Sequence, residues 1–137
     1  MIMDCIFCKI VKGEIPSKKI LETGKSLAFL DAFPVTAGHC LVIPRNHYEK
    51  IQDIPSEENK DLFETVRMVT SKIDQITGAT LIAIHNGKQS GQEVPHVHVH
   101  LIPRSKNDSA GPVHSMFMNT PKPSNETTEE IFKKLII

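Results

Sequence analysis

The stretch HVHVHLI, residues 96–102, alternates imidazole with aliphatic side chains. Successive side chains of a β-strand point to opposite faces, so the spacing predicts a strand over residues 97–102. His96, His98 and His100 then share one face, and Val97, Val99 and Leu101 share the other. The aliphatic face reads as core. Three imidazoles in a row have no such plain reading: core strands seldom line them up, and surface strands more often carry Thr, Lys or Glu. Near neutral pH an imidazole serves as metal ligand, base or nucleophile. Two chemistries compete for the triplet. H-x-H on a strand is a workable metal pair. Alternatively, a neutral imidazole attacks phosphorus while its neighbours hold the phosphate oxygens and protonate the leaving group. A metal-only site usually recruits a further ligand, often a carboxylate, and none follows His98 before Asp108. The loop that precedes the triplet, residues 87–94, contains glycines whose backbone N–H groups can cradle a phosphate. The balance favours phosphate chemistry.

Outward from this strand, the chain reads as an α+β domain. Residues 19–22 and 26–30 form two strands with Thr23-Gly24 as the turn, and residues 31–38 form a loop punctuated by Pro34 and Gly38. Residues 39–43 form a third strand, stopped by Pro44. The long helical signal follows: Ser56 as N-cap, acidic Glu57, Glu58 and Asp61 near the positive end, and Leu62, Val66, Val69 and Ile73 on one face before Gly78. Residues 81–84 are a buried strand and the expected neighbour of 97–102, giving an antiparallel sheet. Residues 1–104 are expected to make the domain core, with 105–137 a tail and short helix of the same domain. The tail lacks periodicity over 105–124, then offers the capping box Thr127-x-x-Glu130 before a short final helix.

Composition narrows the function. Lys plus Arg and Asp plus Glu both total 16, for a formal net charge of zero, which removes the whole-molecule argument for binding a nucleic-acid polymer. No apolar run approaches the ~20 residues needed to span a bilayer. The start, MIMDCIFCKI, lacks the basic flank, apolar core and cleavage site of a leader, and three cysteines do not make a disulfide framework. A cytoplasmic location is the expectation. Cys5-x-x-Cys8 alone admits a redox pair, half a zinc site or coincidence. The thioredoxin-like reading fails for want of a preceding strand and an adequate helix. Cys40, in an apolar run, reads as a buried core thiol.

The triplet with its flanks resembles the histidine-triad signature of the HIT superfamily, in which three histidines alternate with apolar residues. FLDAFPVTAGHCLVIPRNHY upstream and HNGKQSGQEVP just before the triplet are similar as well, over about three quarters of the chain. The closest likeness is to the Hint-like branch of nucleotide phosphoramide hydrolases. That resemblance implies a five-stranded antiparallel sheet with one long helix and short flanking helices, extended to ten strands in a homodimer. It implies hydrolysis of nucleoside phosphoramidates or related α-phosphate derivatives of purine nucleotides (AMP or GMP derivatives), adenosine first, through a covalent nucleotidyl-histidine. A dinucleoside polyphosphate hydrolase and a nucleotide-binding module with vestigial catalysis are the alternatives.

Carried over by residue, the resemblance makes His98 the nucleophile, with its Nδ1 proton given to a backbone carbonyl. His100 becomes the contact to phosphate and leaving group, and His39 the histidine that orients the triad. Asp31 would bond the ribose, with Phe29, Leu30 and Ala32 lining the base slot. His85, Asn86, Gly91, Gln92, Glu93 and Val94 would surround ribose and phosphate. His85 stands where relatives often carry Asn or Gln, and Glu93 where Ser or Thr is common, so the leaving-group side departs from the pattern. Family members with an N-terminal C-x-x-C also imply a structural Zn²⁺ held by Cys5, Cys8, His47 and His96, which would pin the N-terminal turn to the strand bearing His98.

Overall fold

The structure, a computed structural model, describes residues 4–137; Met1, Ile2 and Met3, part of the segment read above as no leader, lie outside the described residues. Helix α1 (Ile6–Val11) is followed by strands β1 (Lys19–Glu22), β2 (Ser26–Leu30) and β3 (Cys40–Pro44). Then come helix α2 (Ser56–Thr77), strands β4 (Ala79–Ile84) and β5 (Val99–Arg104), and helix α3 (Asn125–Leu135). The strands form one five-stranded sheet in the order β1-β2-β3-β5-β4, with every neighbouring pair antiparallel. No helix among the described residues is long and apolar enough to cross a membrane.

The sheet has a core on each face, and the two-residue period of its strands sorts side chains between them. Ala28, Cys40, Val42, Val97, Val99 and Leu101 face α2, whose Leu62, Val66, Val69 and Ile73 cover them. Leu27, Phe29, Leu41 and Ile43 face the other way and pack under α1 with Cys5, Phe7, Cys8 and Ile10. A buried polar knot ties the β1–β2 turn to α2. Ser26 Oγ and Thr23 Oγ1 donate to Asp61 at 2.6 and 2.7 Å, and Ser26 Oγ lies 2.8 Å from Thr65 Oγ1. Each hydroxyl so close to the core needs such a partner.

Several boundaries shift from those read in the sequence, each for a local reason. Pro55, not Ser56, caps α2, and no side chain caps its first turn. Gly78, at φ 89°, closes the helix in the left-handed conformation that favours glycine. α3 starts before the expected capping box: Ser124 is its N-cap and accepts from the Thr127 N–H, so Thr127 lies inside the helix. The strand expected over 97–102 begins at Val99 and runs to Arg104. Its pairing with β3 ends at Val42↔Val99. Continuing that register sets Val97 beside Pro44, which has no N–H for the ladder. Val97 N–H bonds the Tyr48 carbonyl instead, at 2.7 Å. The alternation nonetheless persists past the strand's end: Val97 enters the α2-side core, whereas His96 and His98 face α1 and its surroundings.

Candidate active site and metal cluster

A cleft of about 840 Å³ opens on the α1 side of the sheet, walled by Phe29, Asp31, His39, Glu93, His98 and His100, with an apolar end provided by α1 and the chain leading into β1. His98 is 8% exposed. Its Nδ1 lies 2.8 Å from the His96 carbonyl oxygen. A carbonyl only accepts, so Nδ1 carries the proton and Nε2 keeps its lone pair. The Phe7 ring meets the imidazole edge-on with centroids 5.0 Å apart. Burial lowers the His98 pKa, which keeps the ring neutral.

A second chain of hydrogen bonds sets the tautomer of His100. The Val35 N–H donates to His39 Nδ1 at 3.2 Å, so His39 carries its proton on Nε2. That Nε2–H donates to His100 Nδ1 at 3.0 Å, with Asp31 Oδ2 at 3.5 Å on its flank. His100 therefore carries its own proton on Nε2. Burial, reinforced by the neighbouring His98, His39 and His85, pushes the His100 pKa down to about 4. His39, 3% exposed, is lowered by burial too. Donor atoms of Asp31, His39 and His100 come within 4.8 Å of one another, close enough for a cation. The Val35 N–H removes that option, because it fixes the proton on the very nitrogen a metal would need. The cleft thus presents two neutral imidazoles with opposite tautomers: a free lone pair on His98 and an N–H donor on His100.

Not every residue expected around the nucleotide faces the cleft. Asn86 is anchored elsewhere: its Oδ1 accepts from the Ile51 N–H at 2.9 Å and its Nδ2 donates to Gln52 at 3.0 Å. The Gln92 amide accepts from Gly87 N–H at 2.8 Å and donates to the carbonyls of Glu49 and Val94 at 2.7 and 3.1 Å. Both of its N–H donors are spent on the backbone, so Gln92 braces the loop rather than offering a side chain to phosphate. Gly91, at φ 107°, lets the loop pass the His85 ring: a Cβ there would lie 3.3 Å from His85 Cδ2. His85 in turn meets His100 edge-on at 5.4 Å. Leu30 and Ala32 line the cleft, whereas Val94 packs against the α1-side core. Glu93 forms the wall between the cleft and a smaller cavity of about 540 Å³ lined by Glu49, Lys88, Gln92 and Pro95.

The fourth imidazole task falls to His96. Its Nε2–H donates to the Pro44 carbonyl at 2.9 Å, which leaves the Nδ1 lone pair facing Cys5 Sγ at 3.4 Å and Cys8 Sγ at 3.6 Å. His47 Nδ1 lies 3.4 Å from Cys8 Sγ. A tetrahedral ion with metal–sulfur bonds of about 2.3 Å and metal–nitrogen bonds of about 2.0–2.1 Å sets such donors about 3.6 Å apart. The four donor atoms, all within 4.8 Å of one another, fit a closed two-thiolate, two-imidazole centre. Burial and the adjacent Cys5 push the Cys8 thiol up to about 11, a repulsion that a bound cation would reverse. His96 is thereby withdrawn from the cleft, and one metal shared by the whole triad is ruled out.

Phe7 has no counterpart among the expected site residues. Its ring touches Phe29, His96 and His98 edge-on, joining the cysteine–histidine cluster to the cleft. The signal was its place inside C-I-F-C, where one apolar side chain must point inward. Val35 acts through its backbone alone, which leaves no mark on residue type.

This arrangement, a sheet-borne histidine pair of complementary tautomers with a third histidine turned to cysteines, is that of a histidine-triad protein. The HIT domain family model matches residues 12–107, and the chain belongs to that family. It is 46% identical over 102 residues to the adenosine 5'-monophosphoramidase hnt1 of Schizosaccharomyces pombe, covering 74% of this chain and 75% of that one. It is 41% identical over 125 residues to the protein hit of Bacillus subtilis, covering 89% and 86%. Among solved structures, the histidine triad nucleotide-binding protein of Candida albicans superposes with a TM-score of 0.78 at 34% identity, covering 96% of this chain and 94% of that one.

Proposed function

We propose that this chain hydrolyses nucleoside phosphoramidates, adenosine first among the bases, through a covalent nucleotidyl intermediate on His98. The observation that carries the reading is the free Nε2 of a buried, neutral His98, held by its Nδ1–H on the His96 carbonyl. The likeness to a relative named an adenosine 5'-monophosphoramidase supports the substrate class. The base lies between Phe29 and the apolar residues of the cleft, and Asp31 takes the ribose hydroxyls. His98 Nε2 forms a bond to the α-phosphorus as the phosphorus–nitrogen bond to the amine breaks, the departing nitrogen takes a proton from solvent, and the His100 Nε2–H donates a hydrogen bond to a phosphate oxygen on which charge builds. A water then attacks phosphorus and loses its proton to solvent. The phosphorus–His98 bond breaks, releasing a nucleoside monophosphate and restoring the neutral His98 ring, while His100 keeps its Nε2–H throughout.

Glu93 supports an amine over a pyrophosphate-type leaving group. It lines the cleft with His98, and among the described residues no ion pair neutralises it. A carboxylate there repels additional phosphates. Zn²⁺ is the proposed occupant of the Cys5, Cys8, His47 and His96 cluster, where it would fix the turn carrying Phe7 against the residues before β5. The working form is a homodimer joined through sheet edges, and the place of action is the cytoplasm, where the three free cysteines stay reduced. Replacing His98 by Ala or Asn tests the mechanism: turnover of adenosine 5'-phosphoramidate falls at least about 10³-fold, while AMP still binds. Undiminished turnover in either variant would overturn it.

A further inference from the structure

Three buried side-chain polar atoms among the described residues lack a hydrogen-bond partner: Ser17 Oγ, Asn59 Oδ1 and Thr70 Oγ1. Asn59 and Thr70 belong to α2, on the far side of the sheet. Ser17 alone of the three lines the cleft. Ile6, Ile10, Ile15 and Pro16 line the same end of the cleft, with Lys18 and Asp31 as the polar neighbours of Ser17 along and across the strand. Placement follows from the β1–β2 register. Lys19 pairs with Phe29, and the Leu30 N–H bonds the Lys18 carbonyl at 3.0 Å, so Ser17 falls opposite Asp31. Facing residues of an antiparallel pair project to the same side, here the side of Phe29, His98 and the cleft. A shielded hydroxyl without a partner costs stability in the free protein, and such groups occur where something else supplies the missing bond.

We infer that Ser17 is a specificity-determining residue of the nucleoside site, its hydroxyl hydrogen-bonding the polar edge of the base in a slot whose walls are mostly hydrocarbon. The inference rests on the nucleotide-hydrolase reading above. Asp31 is left to the ribose. The slot's hydrocarbon walls hold any flat ring, so they discriminate poorly between purines, whereas one hydroxyl bonds differently to a 6-amino and to a 6-oxo purine.

Ser17→Ala tests this, with binding of AMP, GMP and 2'-deoxy-AMP measured by calorimetry, and kcat and KM measured on the adenosine and guanosine phosphoramidates. The expected result is a three- to tenfold loss of affinity for the better-bound purine nucleotide and an AMP-to-GMP preference altered at least threefold. KM rises correspondingly, kcat is unchanged, and Tm without nucleotide is equal to or above that of the unsubstituted protein. The last readout separates a ligand contact from a structural hydroxyl, whose removal would lower Tm. Unchanged affinity for both nucleotides overturns the inference. So does a penalty that disappears with 2'-deoxy-AMP, since the hydroxyl would then read ribose. If the unsubstituted protein binds no nucleotide, both this inference and the proposed function fail; if it binds but does not turn over, only the proposed reaction fails.

Discussion

His98 and His100 differ by what holds the nitrogen that faces away from the substrate. A backbone carbonyl 2.8 Å from His98 Nδ1 makes that ring an Nε2 base, and an imidazole N–H 3.0 Å from His100 Nδ1 makes the other an Nε2 donor. His39→Ala removes the second constraint without touching the cleft's shape elsewhere. It should lower kcat by about 10²-fold, the lower end of what one hydrogen-bond donor to developing charge contributes, with KM little changed. His39→Gln, whose amide N–H can still reach His100, should recover part of the loss in steady-state assays. The depressed pKa of His100 also has a cost in acid. Its folded value is about 4 against an ordinary 6.5, so between those values the unfolded chain binds more protons. Stability from this group is complete above about pH 6.5 and declines as pH falls toward 4. Urea midpoints measured across that window should fall, and His100→Asn should flatten the fall. Alternation alone made it legible that the histidines share a face. The His98 tautomer was expected, with a backbone carbonyl as its acceptor, whereas those of His39, His100 and His96 were not legible, because they depend on the Val35 N–H and the Pro44 carbonyl, backbone groups that leave no mark on residue type.

At the scale of the element, α2 and the N-terminal turn explain why the triad sits still. Leu62 is fully buried beneath the sheet, and Leu62→Ala should cost about 2–5 kcal/mol in denaturant unfolding. On the opposite face α1 has only six residues, too short to be stable by itself, and its cluster of Cys5 and Cys8 with His47 and His96 supplies what hydrogen bonds cannot. Cys5→Ser should therefore lower zinc content, measured by elemental analysis, and lower Tm, while leaving part of the activity. Loss of activity in proportion to zinc, with Tm unchanged, would contradict a structural role. The strands and α2 were readable because their periods are repeated over several residues. The ends were less so: Pro44 stops the β3–β5 ladder and moves the start of β5 to Val99, and Ser124 outcompetes Thr127 as cap of α3. Each boundary was decided by a single local group rather than by a pattern.

For the whole molecule, β1 and β4 are the sheet's edges, and a second copy can extend either one. Ile82 on β4 is half-exposed, as are Ile131 and Phe132 on α3, and no residue of α3 is buried. Sedimentation equilibrium should return twice the 15.3 kDa of one chain; a mass of one chain would refute the dimer. Asn86 and Gln92, expected near the nucleotide, brace the loops around the cleft, and Ser17, not expected there, lines it. The side-chain partners of the first two depend on backbone groups that residue type does not reveal, and Ser17 reaches the cleft through strand pairing across the sheet.

The covalent step is open to direct measurement. Rapid quenching of the enzyme during turnover of adenosine 5'-phosphoramidate, followed by peptide mass analysis at neutral pH, should find one nucleotidyl group on the peptide containing His98, and none in His98→Ala. Steady turnover with no adduct, or an adduct on any other residue, would contradict His98 as the nucleophile.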